Sequence, residues 1–240
     1  MYPLKIKACG MKIIAHRGAP ALAAENTVAA FTSAGVRDYF GIESDVRVTK
    51  DGHFVMIHDD TTARVAHQAL PVEQSTLAEL RRLQLYGLDG RPSAELCIPT
   101  LDEYIAVCRA YGKVAVTELK KPLSDADLSR IRDAFLRADY LDKTVFISFF
   151  YDNLMRMRLL DETVSLQYLC LIPPKREELV ALLSAVRAGA DLYYPTVDQA
   201  LVEACHEAGL AVNAWTVDRE EDALRLRDMG VDMLTTNLLE

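Results

Sequence analysis

"KVAVTELKKPLSDADLSRIRDAFLRADYLDKTVFISFF", residues 113–150, reads as a strand (113–120), a helix (124–140) and a second strand (143–150). Strands alternating with helical segments are the mark of β-α units and a parallel sheet. The same rhythm runs on to residue 236, with strands at 164–172, 190–196, 210–217 and 231–236 and helices between them. Gly189, Gly209 and Gly230 fall where those helices are expected to stop.

Upstream, "MKIIA" (11–15) is a strand, followed by a helix from about Asn26 to Val36 that Asn26 or Thr27 can cap. "GIESDVRV" (41–48) and "HFVMIH" (53–58) flank the turn "TKDG" and read as a hairpin. Within residues 59–99, "STLAELRRLQLYG" has a helical period and "LDGRPSAELCIPT" reads as loop, which suits a small insertion; Thr100 then caps a helix. Eight strands with their helices in 240 residues predict a TIM (β/α)8 barrel with a small insertion after strand two. A doubly wound open sheet is the alternative, but G-x-G-x-x-G and G-x-x-x-x-G-K-[ST] are both absent. Residues 1–240 are read as one domain. The last helix of the barrel is expected to be short or missing, with residues 1–10 covering the gap.

Composition narrows the function. Half of the residues are apolar and the formal net charge is −8, which argues against nucleic acid or an anionic membrane as partner. Five cysteines form no C-x-x-C pair, so reduced thiols, a cytoplasmic setting and no zinc cluster are expected. The N-terminal residues carry Lys5, Lys7 and Lys12 and read as neither signal peptide nor membrane span. Nothing suggests stable membrane association, and a homodimer is compatible with the chain.

The chemistry lies at the strand ends, where a TIM barrel keeps its active site. Glu43 and Asp45 are two apart on one strand, as are Glu118 and Lys120 on another, so each pair shares a face. Glu43, Asp45 and Glu118 together are three hard oxygen ligands suited to one divalent cation, Mg²⁺ or Ca²⁺. Arg17 and Lys120 stand beside them as phosphate-binding cations, and His16 and His58 as proton carriers. That set describes metal-assisted cleavage of a phosphoester. Trp215, at the end of strand seven, is a candidate wall for the substrate. The duller readings are an exposed strand face paired with Arg47, a salt bridge for Arg17, and solvent for Lys121. Glu25 is assigned to the helix dipole, and His53, His67 and His206 to the surface.

"AHRGAPALAAENTVAAF" (15–31), "GIESDVRVTKDGHFVMIHDDT" (41–61), "IPTLDE" (98–103), "VTELK" (116–120), "ISF" (147–149), "AWTV" (214–217) and "GVDMLTT" (230–236) resemble, in order, the motifs of glycerophosphodiester phosphodiesterases. The resemblance implies a TIM barrel and Glu43, Asp45 and Glu118 as ligands of Ca²⁺ or Mg²⁺. It implies His16 and His58 as general acid and base, with Arg17 and Lys120 on the phosphate. The reaction implied gives sn-glycerol 3-phosphate and an alcohol through a cyclic phosphate, from a small-molecule glycerophosphodiester. Ala24, Phe150 and Asn237 depart from the family's pattern, and the last two are expected to affect substrate fit and barrel closure rather than proton transfer. Three other functions share some of the features: a phospholipase D-like lyase that stops at the cyclic phosphate, a glycosidase, and a barrel that binds phosphodiesters without turnover.

Overall fold

The computed structural model describes residue 5 and residues 10–240. Strand β1 (Lys12–Ala15) leads through helix α1 (Val28–Gly35) to β2 (Gly41–Val48), which turns back as β3 (Phe54–Met56). A compact excursion follows, with helix α2 (Leu77–Leu80) and the two-residue strands β4 (Leu85–Tyr86) and β5 (Pro92–Ser93). The expected helix over this segment is thus a single turn. Leu80, Leu83 and Leu85 all bury into a satellite core with Val55, Ile57, Ala66, Val72 and Ile98, and no helix can turn all of them the same way.

From there the predicted alternation holds: α3 (Leu101–Tyr111), β6 (Val114–Leu119), α4 (Asp125–Arg137), β7 (Thr144–Ser148) and α5 (Tyr151–Leu160). It continues with β8 (Ser165–Cys170), α6 (Arg176–Val186), β9 (Gly189–Tyr193), α7 (Gln199–Glu207), β10 (Val212–Trp215), α8 (Glu220–Asp228) and β11 (Met233–Thr236). Eight parallel strands close in the order β1-β11-β10-β9-β8-β7-β6-β2, with β1 pairing both β11 and β2, and β3 adds antiparallel to β2. This is the TIM barrel expected from the sequence. No helix follows β11 among the described residues. The expectation that residues 1–10 cover that end lies almost wholly outside the described residues.

Local chemistry accounts for the boundaries. Thr100 and Thr76 each form a capping box, with Glu103 and Glu79. Gly209 and Gly230 adopt positive φ just after α7 and α8, but Gly189 opens β9 and Arg187 ends α6 in the left-handed conformation. The cap of α1 is Thr27, whose hydroxyl accepts from the Ala30 amide at 3.1 Å.

Two cores flank the parallel strands. The larger packs Ile42, Val46, Ala115, Leu119 and Phe146 against the helices, while Ile14, Val116, Ile147, Leu169 and Met233 fill the barrel. Because neighbours alternate between faces, Glu43 and Asp45 are directed inward while Ile42 and Val46 face the helices. A parallel strand buried on both faces has nowhere to hide charge, so the carboxylates concentrate in the barrel's mouth.

Candidate active site

The turn after β1 shapes one wall. His16–Gly18 forms a short 3-10 turn in which Arg17 (φ 53°), Gly18 (φ 81°) and Ala19 (φ 62°) are all left-handed. Gly18 cannot be replaced cheaply, because a Cβ there would lie 2.8 Å from the backbone of Ala30. The turn points the Arg17 amide at Glu43, donating to Oε2 at 2.9 Å. Left-handed backbone at non-glycine residues costs about 1 kcal/mol each, and it concentrates where geometry serves a site.

Glu43, Asp45 and Glu118 offer carboxylate oxygens within 4.8 Å of one another, all three residues buried. Burial, then Asp45 and Glu118, push the Glu43 carboxyl well above its usual range. Burial and Asp45 raise Glu118 to about 8, against the pull of Lys120. Asp45 goes the other way: burial is outweighed by Lys120, His58 and Arg17, which hold it below the usual carboxylate range. Its Oδ2 accepts from the Asn26 amide at 2.8 Å, whereas the buried Oδ1 has no hydrogen bond, with Lys120 Nζ at 3.4 Å. Lys120 Nζ also lies 2.9 Å from Glu118 Oε1. An orphaned oxygen among three buried carboxyls, two of them forced toward protonation, fits a hard divalent cation.

The histidines are held alike from opposite sides. His58 Nδ1 meets Asp59 Oδ1 at 2.6 Å, so it carries the proton and leaves Nε2 bare in the neutral ring. His16 Nδ1 meets Asn237 Oδ1 at 2.8 Å. The orientation of that amide is set by Asp218, which accepts from Asn237 Nδ2 at 2.8 Å and from its backbone N–H at 2.7 Å. The amide oxygen must therefore accept from His16, leaving its Nε2 bare as well. Burial and then Arg17 lower the His16 pKa to about 4. Burial lowers that of His58 too, though Asp45 and Asp59 oppose it.

A chain of ion pairs ties these groups together. Arg17 donates to Glu25 at 2.9 Å, Arg64 donates to both oxygens of Glu25 at 2.7 and 2.8 Å, and its Nε reaches Asp59 at 2.7 Å. Glu25 thus orients Arg17 rather than serving the helix dipole, and Asn26 holds Asp45 instead of capping α1. Asn237, expected to leave proton transfer untouched, is the hydrogen-bond partner of His16. Arg47 pairs with neither Glu43 nor Asp45; it donates twice to the His58 carbonyl, at 3.0 and 2.8 Å. Lys121 meets Glu73 at 2.6 Å instead of standing free in solvent. His53, His67 and His206 are exposed, as expected.

His16, Arg17, Glu43, His58, Glu118 and Lys120 line one cavity of about 180 Å³ at the C-terminal ends of the strands, with Asp45 beneath them. Trp215 lines it too, packed edge-on against Phe149 at 5.5 Å; Phe149, not Phe150, is the aromatic residue of that loop in the wall. A larger cavity, about 630 Å³, opens at the opposite end beside Lys12, Thr144 and Gly189, and contains none of these groups. The polar partners Glu25, Asn26, Asp59, Arg64, Asp218 and Asn237 carry no periodic signal, and only the E-N and H-D dipeptides could have drawn attention to three of them. No helix among the described residues is long and apolar enough to cross a membrane.

Known proteins resemble this chain in sequence and in fold. A glycerophosphodiester phosphodiesterase of Caldanaerobacter subterraneus subsp. tengcongensis is 31% identical over 230 residues, 94% of this chain and 93% of its own. One of Bacillus subtilis is 29% identical over 248 residues, 93% of this chain and 82% of its own. Among solved structures, an Oleispira antarctica phosphodiesterase in complex with the product sn-glycerol-3-phosphate matches with a TM-score of 0.86 and 27% identity, covering 98% of this chain and 96% of its own. Residues 16–240 match the glycerophosphoryl diester phosphodiesterase family, to which this chain belongs, and which makes it a phosphoric diester hydrolase.

Proposed function

We propose that the protein hydrolyses glycerophosphodiesters to sn-glycerol 3-phosphate and an alcohol, using Glu43, Asp45 and Glu118 as ligands of one Mg²⁺ or Ca²⁺. The observation that carries this reading is the convergence of three carboxylates, two cations and two histidines, each anchored through Nδ1, at one cavity. The Oleispira neighbour, bound to sn-glycerol-3-phosphate, supports the substrate class. A divalent cation, when bound, would neutralise the phosphate oxygens and the charge that develops on them.

The chain's own groups divide the remaining work. Arg17 and Lys120 bind and orient the phosphate, and Trp215 walls the organic part. His16, neutral because of burial and Arg17, takes the proton from the glycerol hydroxyl next to the ester as that oxygen attacks phosphorus. His58 acts in its doubly protonated form, which Asp45 and Asp59 favour against burial, and gives its Nε2 proton to the departing alcohol oxygen as the phosphorus–oxygen bond breaks. A cyclic phosphate results. Water then opens it, with the proton going to His58 while His16 returns its own to the glycerol oxygen, so that both histidines are restored.

The test is release of sn-glycerol 3-phosphate from glycerophosphocholine and glycerophosphoethanolamine with Mg²⁺, Ca²⁺ or EDTA. Metal-dependent release lost in His16→Ala and Glu43→Ala is the expected result. Undiminished release in EDTA would refute the metal site, and cyclic phosphate as the final product in phosphorus NMR would replace hydrolase by lyase.

A further inference from the structure

One polar group in the cavity has no part in the reaction above. Asp191, in the middle of β9, is 1% exposed and lines the cavity, yet its Oδ1 has no hydrogen-bond partner. Its surroundings leave little to satisfy it. The Asn213 amide is the one group that favours its charged form, and that side chain also donates to Thr235 at 3.0 Å. Trp215 Nε1 donates to the Asp191 backbone carbonyl at 3.0 Å, not to the carboxyl. The walls nearby are apolar: Ile147, Leu169, Phe149 and Trp215. Burial pushes the Asp191 carboxyl up to about 8. A buried polar atom left unpaired costs about 1–3 kcal/mol, which a ligand that pairs with it recovers.

The chemistry of the missing partner can be narrowed. An anion would be repelled, and a cation would need the ionised carboxylate that burial opposes. A hydroxyl suits either form, because it both donates and accepts. The phosphate end of the cavity is fixed by Arg17 and Lys120, and the glycerol hydroxyl next to the ester is used in the attack. One hydroxyl of the glycerol moiety is then left over, at the far carbon. The cavity's volume of about 180 Å³ suits a three-carbon polyol and not an acyl chain beside it.

We propose that Asp191 hydrogen-bonds the terminal hydroxyl of the glycerol moiety, so that the cavity selects glycerophosphodiesters in which that hydroxyl is free over those in which it is acylated or missing. This rests on the function proposed above. It makes Asp191 a specificity-determining residue rather than a participant in proton transfer.

The experiment compares kcat/KM for glycerophosphocholine and for the phosphocholine diester of propane-1,2-diol, which lacks only the terminal hydroxyl. Wild type, Asp191→Asn and Asp191→Ala are measured side by side. Wild type is expected to prefer the glycerol substrate by about 100-fold or more, as sites built around a substrate hydroxyl do. The preference should shrink to below about 10-fold in Asp191→Ala, with Asp191→Asn between them because an amide still hydrogen-bonds. A wild-type preference near unity, or an equal loss on both substrates in the variants, would overturn the assignment. Melting of Asp191→Asn at or above the wild-type temperature is expected, since no structural partner is lost; a large drop would make the residue structural. Binding supplies a readout free of turnover: sn-glycerol 3-phosphate should raise the wild-type Tm more than propane-1,2-diol 1-phosphate does, and equal shifts would overturn the proposal. If wild type cleaves neither choline diester but cleaves bis(p-nitrophenyl) phosphate with metal, the functional reading itself fails, and the proposed ligand of Asp191 with it.

Discussion

Adding Mg²⁺ or Ca²⁺ to EDTA-treated protein should raise its melting temperature, and raise it more at pH 8 than at pH 6. The oxygens of Glu43, Asp45 and Glu118 converge within 4.8 Å. Two unit charges at that distance repel by about 3.5 kcal/mol at an effective dielectric of about 20. Three such pairs exceed what the fold can carry, so Glu43 and Glu118 take up protons, Glu118 with its pKa raised to about 8. A cation must displace those protons. Below pH 8 Glu118 is mostly protonated, so apparent affinity falls as pH falls. Between pH 8 and pH 6 the competition at Glu118 alone amounts to about 50-fold, or about 2.3 kcal/mol. For a chain of this size that is about 5–9 °C less stabilisation at pH 6, at equal metal concentration. Scanning calorimetry with and without metal at the two pH values measures it, and titration calorimetry in two buffers counts the protons released. Glu118→Gln should bind more weakly and lose most of the pH dependence. Equal metal-induced shifts at pH 6 and pH 8 with no proton release would refute the argument, as would no shift at either.

Asp218→Ala should lower kcat by about 10–100-fold with little change in KM, because Asn237 loses the acceptor that sets its orientation toward His16. Steady-state kinetics tests this, and an unchanged kcat would show that His16 is positioned without it. Gly18→Ala should cost a few kcal/mol in a denaturant titration, since its Cβ would meet Ala30 and Phe31 at 2.8–2.9 Å on a left-handed backbone. For Asp191, whose folded pKa lies above the unfolded value, stability is fully present below about pH 4 and is lost as pH rises toward 8. Asp191→Asn should remove that slope, on the order of a few kcal/mol, in urea titrations at pH 5 and pH 8.

The barrel was legible because its signal is periodic. Eight strands alternate with helices in a length that suits a barrel, the absent glycine-rich motifs weigh against an open sheet, and residues two apart on a strand had to share a face. That rule alone brought Glu43 to Asp45 and Glu118 to Lys120. Other contacts obey no period. His16 and Asn237 are 221 residues apart, and Glu25 and Arg64 are 39 apart, with α1 and the β2–β3 hairpin between them. Asp191 shows a further limit: within "ADLYYPT" it reads as one polar residue at the start of a strand, and only closure of the barrel leaves its oxygen unpaired. The helix over 75–87 failed for a related reason. Its leucines are buried on several sides by the satellite core, so their spacing recorded burial and not a helical face.

That satellite core has a bearing on how the enzyme would fail when heated. Strand β3 and the residue after it are shared, with Met56 packed into the main core while Val55 and Ile57 belong to the satellite. His58 follows directly, latched by Arg47 through its carbonyl and by Asp59 through its ring. Small clusters with few buried residues open at lower free energy than the body they rest on. One of the two histidines would thus swing out of register while the eight-stranded ring stays intact. Inactivation would precede melting and reverse on cooling, and amide exchange would quicken over residues 55–98 before it does in β6 to β9.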